Sequence, residues 1–176
     1  MKIIVILAVI LLIFGAMSVF GMSRMLGKKQ EWVIMSPFEA QILMNGEPLT
    51  GAKVKLNYSW TSSPDDEIDG TTLNFQTDAD GTVAMPSVTE KIYVSEIYPT
   101  ASNYELSVEA GGKSTPIAYI TKRDPQLYGE LGYKPETVVC EITKPLSAII
   151  DKKITSRHIS RCSWEGSDQY NWVEMK

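Results

Sequence analysis

Between Ala52 and Trp60 the chain alternates without a break: Ala52, Val54, Leu56, Tyr58 and Trp60 fall on one side, Lys53, Lys55, Asn57 and Ser59 on the other. A period of two held over nine residues specifies a β-strand with one buried and one wet face, and a helix cannot satisfy it. The neighbouring stretches are punctuated in the same way. Ile42 and Met44 share a face ahead of Asn45-Gly46, a strong hairpin signal, and a corner at residues 48–51 leads into the long strand. Leu73 and Phe75 alternate with Asn74 and Gln76, Asp78-x-Asp80-Gly81 turns the chain, and Val83 and Met85 return. Tyr104, Leu106, Val108 and Ala110 mark a further strand, Gly111-Gly112 turns it, and residues 116–121 run back. Residues 31–38 read as an edge strand closed by Pro37, 91–97 as a short strand, Val138, Cys140 and Ile142 as another, and 154–164 as the last. Eight or nine short strands, regular turn signals and no helical period in the body predict an all-β chain. The expected arrangement is a single antiparallel β-sandwich of transthyretin-like or immunoglobulin-like kind. It occupies residues 31–164 and is followed by a C-terminal tail, 165–176, with Tyr170 and Trp172 but no period.

Ahead of this body, residues 3–22 form an apolar run without a charge, preceded by Lys2. As a helix it would be about 30 Å long, enough to cross a bilayer. Residues 1–22 therefore read as an uncleaved transmembrane anchor or as a signal peptide, with small residues at Ala16-Met17-Ser18 and Val19-Phe20-Gly21 for a cut. No cysteine lies near the end of the run, which argues against a lipoprotein. Residues 23–30 are a short polar tether. Arg24, Lys28 and Lys29 beyond the run would by charge count keep the body inside the cell. The two cysteines and the exported character of an all-β body argue for the opposite orientation. The expected location is a periplasmic domain anchored in the inner membrane through residues 3–22, or a periplasmic protein after cleavage.

The formal charge of −4 and the lack of a Lys/Arg cluster outside the membrane-proximal segment exclude a nucleic-acid surface. Cys140 and Cys162 are the two cysteines, and in an exported chain an even count reads as a disulfide. The rival is a metal site of Cys140, His158 and Cys162, which lacks a fourth ligand and the paired spacing zinc favours, so no metal is assigned. Asp65-x-Glu67-x-Asp69-Gly70 approaches a calcium loop, but Gln76 stands where a bidentate Glu is needed; an acidic solvated loop is the expected reading. With His158 as the single histidine and no nucleophile motif near it, no catalytic residue and no cofactor are assigned, and the chain is expected not to be an enzyme.

Gly46-Glu-Pro-Leu-Thr-Gly-Ala-Lys-Val54 followed by Thr77-Asp-Ala-Asp-Gly-Thr-Val-Ala-Met-Pro86 resembles carboxypeptidase-regulatory-like, transthyretin-related domains. The chain is most similar to uncharacterised bacterial exported proteins built on that core. About forty residues carry the likeness, with Val83 where an aromatic is usual. The resemblance implies the sandwich and no activity; the transthyretin-related hydrolases need several histidines and a C-terminal tetrapeptide that this chain lacks. Residues 124–135 break the strand pattern, and Tyr128 and Tyr133 set among Gly129 and Gly132 suit either a recognition loop for a protein partner or a cover over the end of the body. The function expected is non-enzymatic binding of a protein partner in the cell envelope. Immunity against a secreted toxin and assembly of a membrane complex are the alternatives.

Overall fold

A computed structural model describes residues 27–61, 70–95, 98–150 and 156–175. The apolar run and the 65–69 loop lie outside the described residues, and no helix among the described residues is long and apolar enough to cross a membrane. The chain forms β1 (Lys28–Met35), β2 (Phe38–Met44), β3 (Glu47–Pro48), β4 (Lys53–Thr61), β5 (Thr71–Gln76), β6 (Thr82–Met85) and β7 (Val88–Val94). There follow β8 (Ala101–Ala110), β9 (Lys113–Lys122), β10 (Val138–Glu141), β11 (Ser147–Ile149), β12 (Arg157–Ser160), β13 (Cys162–Trp164) and β14 (Trp172–Glu174). One ladder runs β14-β11-β12-β9-β8-β4-β5; a second runs β13-β10-β2-β3, with β6 also on β2; β1 and β7 form a two-stranded ribbon.

The all-β reading holds, and the period-two stretch does what it predicts. Val54, Leu56 and Tyr58 of β4 are buried, while Leu73 and Phe75 of β5 pack half-buried on the same core. Val54 and Leu56 stand opposite Val108 and Leu106 of β8. Ile42, Val83, Met85, Val138 and Cys140 of the second ladder belong to the same buried cluster, as do Trp32 and Ile92 of the ribbon. The two segments of the family-like motif are stitched together at Thr77. Its hydroxyl accepts from Ala52 N at 2.8 Å and donates to Leu49 O at 2.6 Å.

Three expectations are corrected. The sheets are not purely antiparallel: β10 lies parallel to β2, Val138 opposite Ala40 and Glu141 opposite Leu43. The chain reaches β10 from β9 by a long crossover, which lets it enter alongside β2 in the same direction; a tight hairpin could not. The expected last strand is two strands that belong to different ladders. Between them Arg161 donates from N to Ile117 O at 2.8 Å and from Nε to Pro116 O at 2.9 Å, while its carbonyl accepts from Glu141 N at 3.3 Å. One residue thus ties both ladders where the chain switches. The ends also extend further than the sequence suggests. β1 starts at Lys28, inside the expected tether, and β14 adds the tail to the first ladder through β11.

A buried carboxylate fixes the first hairpin. Asn45 and Gly46 both adopt positive φ, 56° and 82°, as a two-residue hairpin turn matched to strand twist requires. Glu141 accepts from Asn45 N at 3.1 Å, Gly46 N at 2.7 Å, Thr143 N at 3.0 Å and the Thr143 hydroxyl. Burial pushes its carboxyl up, but these four donors outweigh burial and hold it at about 2. Its stabilising effect is complete above the ordinary carboxyl range and is lost as pH falls from about 4.5 towards 2. Glu141→Gln should therefore cost about 1–2 kcal/mol in urea unfolding at pH 7, a deficit that shrinks at pH 2.5–3. An equal deficit at both pH values would show that charge is not what holds the turn.

Candidate functional site

The crossover between β9 and β10, residues 123–137, carries the site. It is pinned at its root by charges that face inward. Ala118, Ile120 and Lys122 share one face of β9, standing opposite Leu106, Tyr104 and Ser102, so Lys122 points into the body. It is fully buried, and its Nζ lies 3.4 Å from Glu130 Oε2, an ion pair without the alignment of a hydrogen bond. Burial lowers the Lys122 pKa, and Glu130 opposes part of that effect. Glu130 is itself buried and accepts from Ser36 N at 2.9 Å and the Ser36 hydroxyl at 2.7 Å. The Ser36 oxygen in turn accepts from Tyr128 N at 2.6 Å. Gly129 makes this fit possible, since a Cβ there would stand 2.7 Å from Asp124 Cβ and 3.1 Å from Lys122 Cε. Val33 N donates to Pro125 O at 3.0 Å, fastening the loop to the ribbon as well.

Under the loop lies a mostly apolar cavity of about 70 Å³ that is partly open to solvent. Phe38, Leu106, Leu131, Val138 and Trp164 supply apolar walls, with Tyr104, Tyr128, Tyr133, Cys162 and His158 completing the lining. Tyr133 is half-buried against the core, and its hydroxyl accepts from Trp164 Nε1 at 2.8 Å and donates to Glu165 O at 3.1 Å. Tyr128 holds a positive φ of 58°, unusual for an aromatic residue. Leu127, beside it, is 54 % exposed. Burial, then the nearby Glu130 charge, raises the Tyr104 phenol well above its ordinary range.

His158 comes from β12, opposite Ile120 on the inward face. It is 3 % exposed, its ring centroid is 5.9 Å from that of Trp164, and neither imidazole nitrogen makes a well-aligned hydrogen bond. Burial holds it neutral, with its pKa down at about 4; the Glu130 main chain works in the other direction.

The residues singled out in the sequence converge here to an unexpected degree. Tyr128, Tyr133, His158 and Cys162 line one cavity, and Cys140 and Cys162 are joined in a disulfide across β10 and β13. Among the described residues no group of three His, Cys, Asp or Glu side chains is placed to hold a metal ion. Ser36, Lys122 and Glu130 have no local signature. Only the parity of Lys122 with Ala118 and Ile120 points to an inward lysine.

A family model described as a domain of unknown function (DUF6795) matches residues 38–145, from β2 through the whole crossover to the turn after β10. No curated protein and no solved structure matches the chain.

Proposed function

The chain belongs to the DUF6795 family, and from that premise we propose that its body is a non-enzymatic binding module of the bacterial envelope. In this reading residues 3–22 hold it at the periplasmic face of the inner membrane, or are removed after export. The crossover 123–137 presents it to a protein partner. The body itself is read as a sandwich of the transthyretin-related kind. Supporting that architecture are the shared core of the two main ladders and the stitching of both motif segments through Thr77. An oxidising compartment accords with the Cys140–Cys162 bond.

The observation that carries the binding role is the presentation of Leu127. A large apolar side chain stands 54 % exposed in a loop that Lys122, Glu130 and Ser36 fix to the body. A loop already ordered before contact loses little further entropy on binding, and the energy of an interface concentrates in a few such anchors. Tyr133 is the poorer probe, because its ring and hydroxyl support Trp164. The test is site-specific photocrosslinking in cells, on the full chain, from position 127 and from Lys113, exposed at the start of β9. A discrete adduct from 127 and none from 113 is expected, and it should vanish when Tyr128→Ala is added to the photoprobe at 127. Equal labelling from both positions would overturn the loop as the binding surface.

A further inference from the structure

His158 is a buried polar side chain that makes no well-aligned hydrogen bond; the Glu130 main chain is its one polar neighbour with an electrostatic effect. A neutral imidazole carries one donor and one acceptor; a poorly aligned contact with the Glu130 main chain can serve only one of them, and leaving the other unmet in an apolar interior is costly. Several polar groups of the lining are already committed. The Tyr133 hydroxyl is used by Trp164 and Glu165, the Ser160 hydroxyl by the main chain of Cys162, and the Glu130 carboxylate by Ser36 and Lys122. Water is a poor occupant. It needs two to four polar partners, and the cavity as a whole is mostly apolar, with Phe38, Leu131, Val138 and Trp164 in its lining.

We propose that the cavity under the crossover is a binding site for a small uncharged molecule with an apolar body and one hydroxyl or carbonyl group, which pairs with the His158 imidazole. The walls would cover the body of such a ligand, and the cavity's open mouth leaves room for it to extend outward. An ionised ligand would meet no free counter-charge, since Lys122 and Glu130 neutralise each other. The site is independent of partner capture through Leu127, which projects outward from the same loop.

The single histidine makes the test direct, because the full chain in nanodiscs gives one set of imidazole nitrogen resonances. Benzyl alcohol, toluene, benzoate and benzylamine are titrated at matched free aqueous concentration, up to about 4 mM, within the solubility of toluene. A saturable shift of the His158 resonances by benzyl alcohol is expected, about tenfold tighter than toluene, with none from the two ions. In His158→Leu, followed through the Trp164 indole N–H resonance, benzyl alcohol should bind no better than toluene. Absence of a saturable shift with the neutral probes, equal affinity for the alcohol and toluene, binding of the ions, or a preference that survives in His158→Leu would each overturn the proposal. The wild-type comparison of alcohol with hydrocarbon decides the matter alone if the variant does not fold.

Discussion

Replacing Glu130 with alanine should destabilise the body by about 3–5 kcal/mol, more than removing either of the groups it holds. Its carboxylate neutralises Lys122, which has no exposure to water, and it accepts both donors of Ser36. Without it, a buried ammonium loses its counter-charge and a buried main-chain N–H loses its acceptor. Lys122→Met should cost distinctly less, because the Glu130 that remains still has two hydrogen bonds from Ser36. The double variant Glu130→Gln, Lys122→Met should recover much of the loss, since the glutamine oxygen can still accept from Ser36 and no charge is stranded. Urea unfolding at pH 7 of the wild type, the two single variants and the double variant measures this. A double variant as unstable as Glu130→Ala would mean that the ion pair is not what fixes the crossover. The argument for a pre-ordered Leu127 would then lose its basis.

That network marks where the sequence stops being legible. Half-buried strands write their faces in a period of two, so the alternation from Ala52 to Trp60 and that of Tyr104, Leu106 and Val108 translate directly into the core. Turns are legible for an equally local reason: Asn45-Gly46 is a pair suited to two successive positive φ values. The site is assembled from pieces that no local rule connects. Ser36 lies in the β1–β2 corner, Glu130 in a loop without a period, and Lys122 at the end of a strand, 94 and 8 residues from their shared carboxylate. The parallel pairing of β10 with β2 depends on where a fifteen-residue crossover delivers the chain, and that is decided by packing rather than by the composition of either strand. His158 and Trp164 share a parity in the sequence, and their rings do meet, but across a switch of ladder at Arg161 that parity does not announce. The tyrosines divide once their surroundings are known. Tyr133 braces Trp164, while Tyr128 bends the loop beside the exposed Leu127.

Acidification from pH 6.5 to 4 should weaken the body by about 3 kcal/mol through His158 alone. In the unfolded chain its imidazole takes up a proton near 6.5; in the folded body burial delays protonation to about 4. Above 6.5 both states are neutral and the stability is complete. Between the two values the unfolded chain binds a proton that the folded body refuses, so stability falls with each unit of pH; below 4 both are charged and this contribution is flat. The groups packed near the imidazole do not reverse the sign: Glu130, the carboxylate lining the cavity, is already matched by Lys122, and the other ring partner, Trp164, does not titrate. Glu141 acts in a different window, below about 4.5, so the two losses separate along the pH axis. His158→Leu should flatten the upper window and leave the lower one in place, while Glu141→Gln should do the reverse. The measurement is the urea midpoint of wild type and both variants from pH 7.5 to 3, together with the titration of the single imidazole followed by its Cε1 proton. A midpoint for that proton near 6.5 in the folded body, or wild-type and His158→Leu curves that run parallel above pH 4.5, would show that the imidazole is hydrated. The apolar cavity would then have to be one that water fills.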